Sequence, residues 1–118
     1  MVTALGPFST QLHDQIEYGS QGMQRKILLK DEKRQAILVS LIAGTQIPEH
    51  TGSHDGFFTV IEGQGIFTLD GQKVSLEPGV FINLPANTPH AITASENLTM
   101  LKVVESHECK AHPSPIAG

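Results

Sequence analysis

Tryptophan is absent from this 118-residue sequence, and tyrosine and cysteine occur once each. The single cysteine, Cys109, excludes an internal disulfide and any cysteine-based zinc pattern. No apolar run approaches the length that crosses a bilayer as a helix, so no membrane association is expected. The N-terminus has no charged segment followed by an apolar one, which argues against a secretory leader and for a cytoplasmic protein. Lys and Arg together number 8 against 12 Asp and Glu, for a formal net charge of −4. A nucleic-acid surface needs a concentrated basic face, and none is present. The one local charge cluster, Lys30-Asp31-Glu32-Lys33-Arg34, mixes both signs and reads as a solvated hairpin tip. The length suits a single domain over 1–118, with a core spanning about 23–105 and a loose, proline-containing tail over 106–118.

What the chain does have is short aliphatic and β-branched runs between Gly and Pro turn signals. Gly6-Pro7, Gly19-Ser20 and Gly22 punctuate the first segment, where Leu12 to Tyr18 suits a helical turn and a short strand equally. Met23 to Leu29 and Gln35 to Ala43 read as strands on either side of the charged tip. The near-continuous apolar run of the second predicts a strand covered on both faces. Strands are also predicted at Phe57 to Ile61, Gly65 to Leu69, Gln72 to Leu76, Val80 to Leu84, Ala91 to Ala94 and Leu98 to Val104. Asp70-Gly71 is a strong two-residue hairpin signal, Glu77-Pro78-Gly79 is a turn, and the rigid bend from Pro85 to Pro89 delivers His90. About eight short strands, regular turns and no long helix predict an all-β antiparallel fold, either a barrel or a double-sheet jelly roll.

Two punctuated stretches, Gly44 to Gly63 and Gly71 to His90, resemble the paired motifs of the cupin superfamily, small β-barrels that usually hold one metal ion. Gly44, His50 and Gly63 stand where the family's first motif has them. Gly52 occupies the place of its second histidine and Gly56 that of its glutamate. Gly71, Pro78, Gly79, Pro85 and His90 match the second motif, whose terminal Asn is replaced by Ala94. The resemblance covers about residues 36–104. It implies an antiparallel cupin jelly-roll barrel, with His50 and His90 turned inward.

Strand side chains alternate, so residues two apart share a face with Cα atoms roughly 6.6 Å apart. Two imidazoles at that spacing can share an ion at about 2.1 Å each. His54 shares parity with His50, but an extended strand separates the two by about 13 Å. It can replace the missing ligand only if Thr51-Gly52-Ser53 bends, for which Gly52 offers access to positive φ. The expected metal ligands are therefore His50, His54 and His90. Phe58 and Val60, by parity with His50, and Ile92, by parity with His90, are expected to line the pocket. Glu49 and Asp55 fall on the opposite face. His13, His107 and His112 read as surface residues. Phe57 and Ile61 face outward and need covering, either by the chain's own N-terminal strands or by a second copy.

An all-histidine site suits a divalent transition metal (Fe, Zn, Ni, Mn or Cu) and leaves coordination positions open. Together with the resemblance to the cupins, this implies metal-dependent, dioxygenase-like chemistry on a small molecule. The competing class is a non-catalytic module that binds or senses a small molecule through a degenerate site, and a third is a purely structural barrel. The resemblance to small cupins also implies a homodimer.

Overall fold

The computed structural model describes residues 6–105. His107, Cys109, His112 and the tail predicted to be loose lie outside the described residues. After a 3-10 turn at Leu12–Gln15, nine strands follow: β1 Met23–Lys30, β2 Arg34–Leu41, β3 Gln46–His50, β4 Gly56–Glu62, β5 Gly65–Leu69, β6 Gln72–Leu76, β7 Phe81–Leu84, β8 His90–Ala94 and β9 Leu98–Glu105. They form two antiparallel sheets, ordered β1-β2-β9-β4-β7 and β3-β8-β5-β6. The fold is an all-β, two-sheet jelly roll, and the inner faces of the two sheets enclose one core.

Alternation places the core. Ile37, Val39 and Leu41 of β2, Phe58 and Val60 of β4, and Leu98 and Met100 of β9 point inward and meet Phe67, Leu76, Ile92 and Ala94 of the second sheet. Ser40 and Leu38, on the other face of β2, are buried too, as the unbroken apolar run predicts. The motif glycines Gly44, Gly63, Gly71 and Gly79 all adopt positive φ, so the family's punctuation marks real left-handed turns. At the charged tip, the Asp31 carboxylate accepts from the backbone amides of Lys33 and Arg34 at 2.8 and 2.9 Å. These bonds close the β1–β2 connection and hold the Asp31 carboxyl below its usual range.

The sequence analysis assigned no strand over Gln46–His50, where the structure has β3 with Pro48 inside it. Proline removes a ladder donor and is confined to edges and bulges. β3 supplies both conditions: it is the edge of its sheet, and its pairing with β8 slips between Ile47 and His50.

The N-terminal segment covers the outer face of β2 and β9 through a chain of hydroxyls. Ser40 Oγ and Thr99 Oγ1 lie 3.0 Å apart, the Thr99 hydroxyl donates to Tyr18 OH at 2.7 Å, and Tyr18 donates to the Glu62 carboxylate at 2.8 Å. Burial pushes the Tyr18 phenol up to about 12, helped by the negative Glu62 and opposed by the Thr99 hydroxyl. With one Tyr and no Trp, phenolate absorbance reports this residue alone. The folded protein is expected to titrate near pH 12. The stability tied to this proton is complete below about pH 10, where the unfolded phenol also keeps it, and is lost as pH rises through the folded value. A phenolate midpoint near the free value in folded protein would show that the network does not hold Tyr18.

Candidate functional site

The β3 bulge decides which side chain enters the barrel. Ile47 pairs with Ile92 and packs against the core. In a regular strand Glu49 would be the next inward residue. The extra residue shifts the phase, so His50 stands opposite His90 instead. Their rings tilt against each other with centroids 4.2 Å apart.

The same arrangement fixes both rings. His50 Nδ1 lies 2.9 Å from the Pro48 carbonyl, and His90 Nδ1 lies 2.9 Å from the Thr88 carbonyl. A carbonyl only accepts, so each Nδ1 carries a proton, and in the neutral form of each ring Nε2 is the atom with the lone pair. Phe67, fully buried, stacks on His90 with centroids 5.8 Å apart and an interplanar angle of 8°. Burial lowers the proton affinity of His90. The Thr88 carbonyl opposes this, while the charges of His50 and Lys102 add to it.

His50 and His90 line a cavity of about 300 Å³ that opens between the sheets. His54 lines it too, from the bend between β3 and β4, where its Nδ1 lies 3.2 Å from Ser53 Oγ. The three histidines picked out by sequence therefore border one space. Among the described residues, however, no three His, Cys, Asp or Glu side chains stand close enough together to hold a metal ion. The imidazoles of His50 and His90 fit a metal as a partial donor set.

The expected role of Gly52 needs correction. Its φ is not positive and a Cβ there would meet nothing, so the bend does not depend on glycine's backbone freedom. The loop is held by other contacts. Asn87 N donates to the Gly52 carbonyl, and Ala86 N donates to the Asp55 carboxylate, each at 2.8 Å. These tie the segment carrying His54 to the bend that delivers His90. Gly56 has a steric role instead, since a Cβ there would lie 2.6 Å from Val104 Cγ1 and 2.7 Å from the Val103 carbonyl. In this chain β9 occupies the space that the family's glutamate would need.

Of the residues expected to line the pocket, Phe58 does so, whereas Val60 and Ile92 belong to the packed core. Sequence reasoning missed Lys102 and Arg25, which border the same cavity. Lys102 sits on β9 opposite Ile37 of β2 and Phe58 of β4, at the centre of the larger sheet. Its ammonium lies 5.7 Å from the centroid of the Phe58 ring. Burial, and then the charge of Arg25, lower its proton affinity. The available signal was a lysine within an apolar strand, but Leu98-Thr-Met-Leu-Lys-Val-Val104 is apolar on both faces, so its direction was not legible.

A jelly roll whose two motif histidines meet across an internal cavity is the arrangement of a cupin. The Cupin domain family model matches residues 37–105, and the chain belongs to this family. Quercetin 2,3-dioxygenase of Bacillus subtilis (strain 168) is 36% identical over 59 residues, covering 49% of this chain and 18% of that protein. An uncharacterized protein of Aquifex aeolicus (strain VF5) is 29% identical over 65 residues, covering 55% of this chain and 54% of its own length. The chain thus spans about a fifth and about half of these two curated relatives. Among solved structures, a conserved protein of unknown function from Streptococcus pyogenes superposes with a TM-score of 0.75 at 25% identity, covering 91% of this chain and 94% of that one.

Proposed function

We propose that this cupin binds a small molecule inside the barrel, against the paired imidazoles of His50 and His90, as a non-catalytic binding or sensing module. The observation that carries this reading is the in-register pair itself. Two imidazole rings, each oriented by a backbone carbonyl, face a cavity large enough for a small ligand. The places of two family ligands are taken by Gly52 and Gly56, and the Gly56 position is sterically closed. Lys102 borders the same cavity without a salt bridge among the described residues, and its charge opposes a second cation nearby.

The second reading is a metal-dependent, dioxygenase-like enzyme. It is favoured by the similarity to a quercetin dioxygenase and by Nδ1-anchored histidines, a common arrangement of metal ligands. His50, His90 and a relocated His54 would be the ligands. Metal analysis of protein purified without added metal separates the two readings. Substoichiometric metal, with thermal stability unchanged by EDTA, is the expected result. Stoichiometric iron, lost in both His90→Ala and His54→Ala, would overturn the binding-module reading.

We also propose that the protein is a homodimer, with a second copy covering the β1 edge of the larger sheet. Met23 and Ile27 there are 47% and 54% exposed. Sedimentation should give twice the chain mass at micromolar concentration; a monomer would reject this assembly.

A further inference from the structure

Resting on the ligand-binding reading above, we propose that the barrel selects a small carboxylate with an apolar body, its negative charge received by Lys102 and Arg25. The cavity has two chemically distinct parts. Ile37, Phe58, Leu84 and Val104 supply an apolar wall, while Lys102 and Arg25 bring two cations to the same space. Neither cation takes part in a salt bridge among the described residues. Among the described residues, the only lining carboxylate is that of Glu105, which is exposed at the end of β9.

Lys102 is the informative residue. A lysine at the centre of a five-stranded sheet, facing inward, is costly unless something compensates it. Phe58 supplies a partial cation–π contact, but among the described residues Lys102 forms no salt bridge. The position is apolar by every local criterion, with Met100 and Val104 sharing its face, so a purely structural barrel would do better with Leu or Met. A charge kept at a stability cost where a ligand can reach it indicates use by the ligand. Arg25 adds a planar fork suited to a carboxylate, and the free Nε2 lone pairs of His50 and His90 leave room for a hydroxyl or amide donor on the same molecule.

Calorimetric titration of the full chain at neutral pH in EDTA tests this with matched pairs: benzoate, phenylacetate and hexanoate, each against its primary amide, with inorganic phosphate as a further probe. At least one acid should bind about tenfold or more tightly than its amide, the size expected for a charge-assisted contact. Lys102→Met should reduce that ratio to about twofold or less and raise the melting temperature of ligand-free protein. Arg25→Gln, at an exposed edge position, should fold as the parent does and lower the ratio by a smaller factor, which keeps the test decisive should Lys102→Met fail to fold. Equal affinity for acids and amides, or tighter binding of phosphate than of any acid, would overturn the carboxylate inference and leave the ligand-binding reading standing. Binding by neither series would overturn both.

Discussion

Phe67→Ala is expected to remove about 3–5 kcal/mol of stability, the usual cost of emptying a fully buried phenylalanine site. Phe67 has no exposed surface, meets Phe58 edge-on with centroids 5.5 Å apart, and stacks on His90. Its ring therefore joins the two sheets and forms the floor under one of the two site imidazoles. Urea unfolding should show a lower midpoint with an unchanged slope. The substitution should also weaken ligand binding, because His90 loses the surface that sets its plane. Phe67→Leu, which keeps most of the volume, should recover most of the stability but less of the binding. A loss below about 1 kcal/mol in the alanine variant would mean that the sheets collapse over the cavity, and that the stack on His90 is incidental.

Gly56→Glu writes the family's carboxylate back into the first motif, yet it is expected to damage the barrel rather than restore a metal site. The new Cβ meets the Val103 carbonyl and Val104 Cγ1, and the carbonyl belongs to a strand fixed by pairing on both sides. Overpacking of this kind costs about 1–3 kcal/mol. Gly56→Ala isolates the steric part, since it adds the Cβ without the charge, and should already be destabilised. Cobalt titration followed by visible absorbance then reads the metal site directly. A Gly56→Glu protein as stable as the parent that binds cobalt stoichiometrically would show that β9 yields and that the glycine merely removed a ligand. An unchanged Gly56→Ala would contradict the close packing of β4 on β9.

Much of the architecture was legible because its signals are local. Alternation in β4 puts Phe58 and Val60 on one shared face, Asp70-Gly71 closes a hairpin on its own, and Pro85 to Pro89 sets the bend before His90. The spacing of Gly44, His50, Gly63, Gly71, Pro78, Gly79, Pro85 and His90 carried the family, which the match over 37–105 supports. Local reading failed at β3, where Pro48 argues against a strand that the free edge and the bulge nonetheless permit. It also gave Gly52 a backbone role that the loop does not require, because the bend is held by contacts of Gly52 and Asp55 with Asn87 and Ala86 from outside the segment.

The sequence by itself determined an all-β cupin jelly roll and named the three histidines that border its cavity. The tertiary structure decided their relationship. Register between β3 and β8 brings His50 and His90 face to face, and register is set by pairing between segments some forty residues apart, which no local period encodes. It also decided that β9 closes the Gly56 position and that Lys102 and Arg25, from strands distant in sequence, share a space with the histidines. Periodicity assigns a residue to one of two faces. Which face becomes the inside, and what stands across from it, depends on how the two sheets pack.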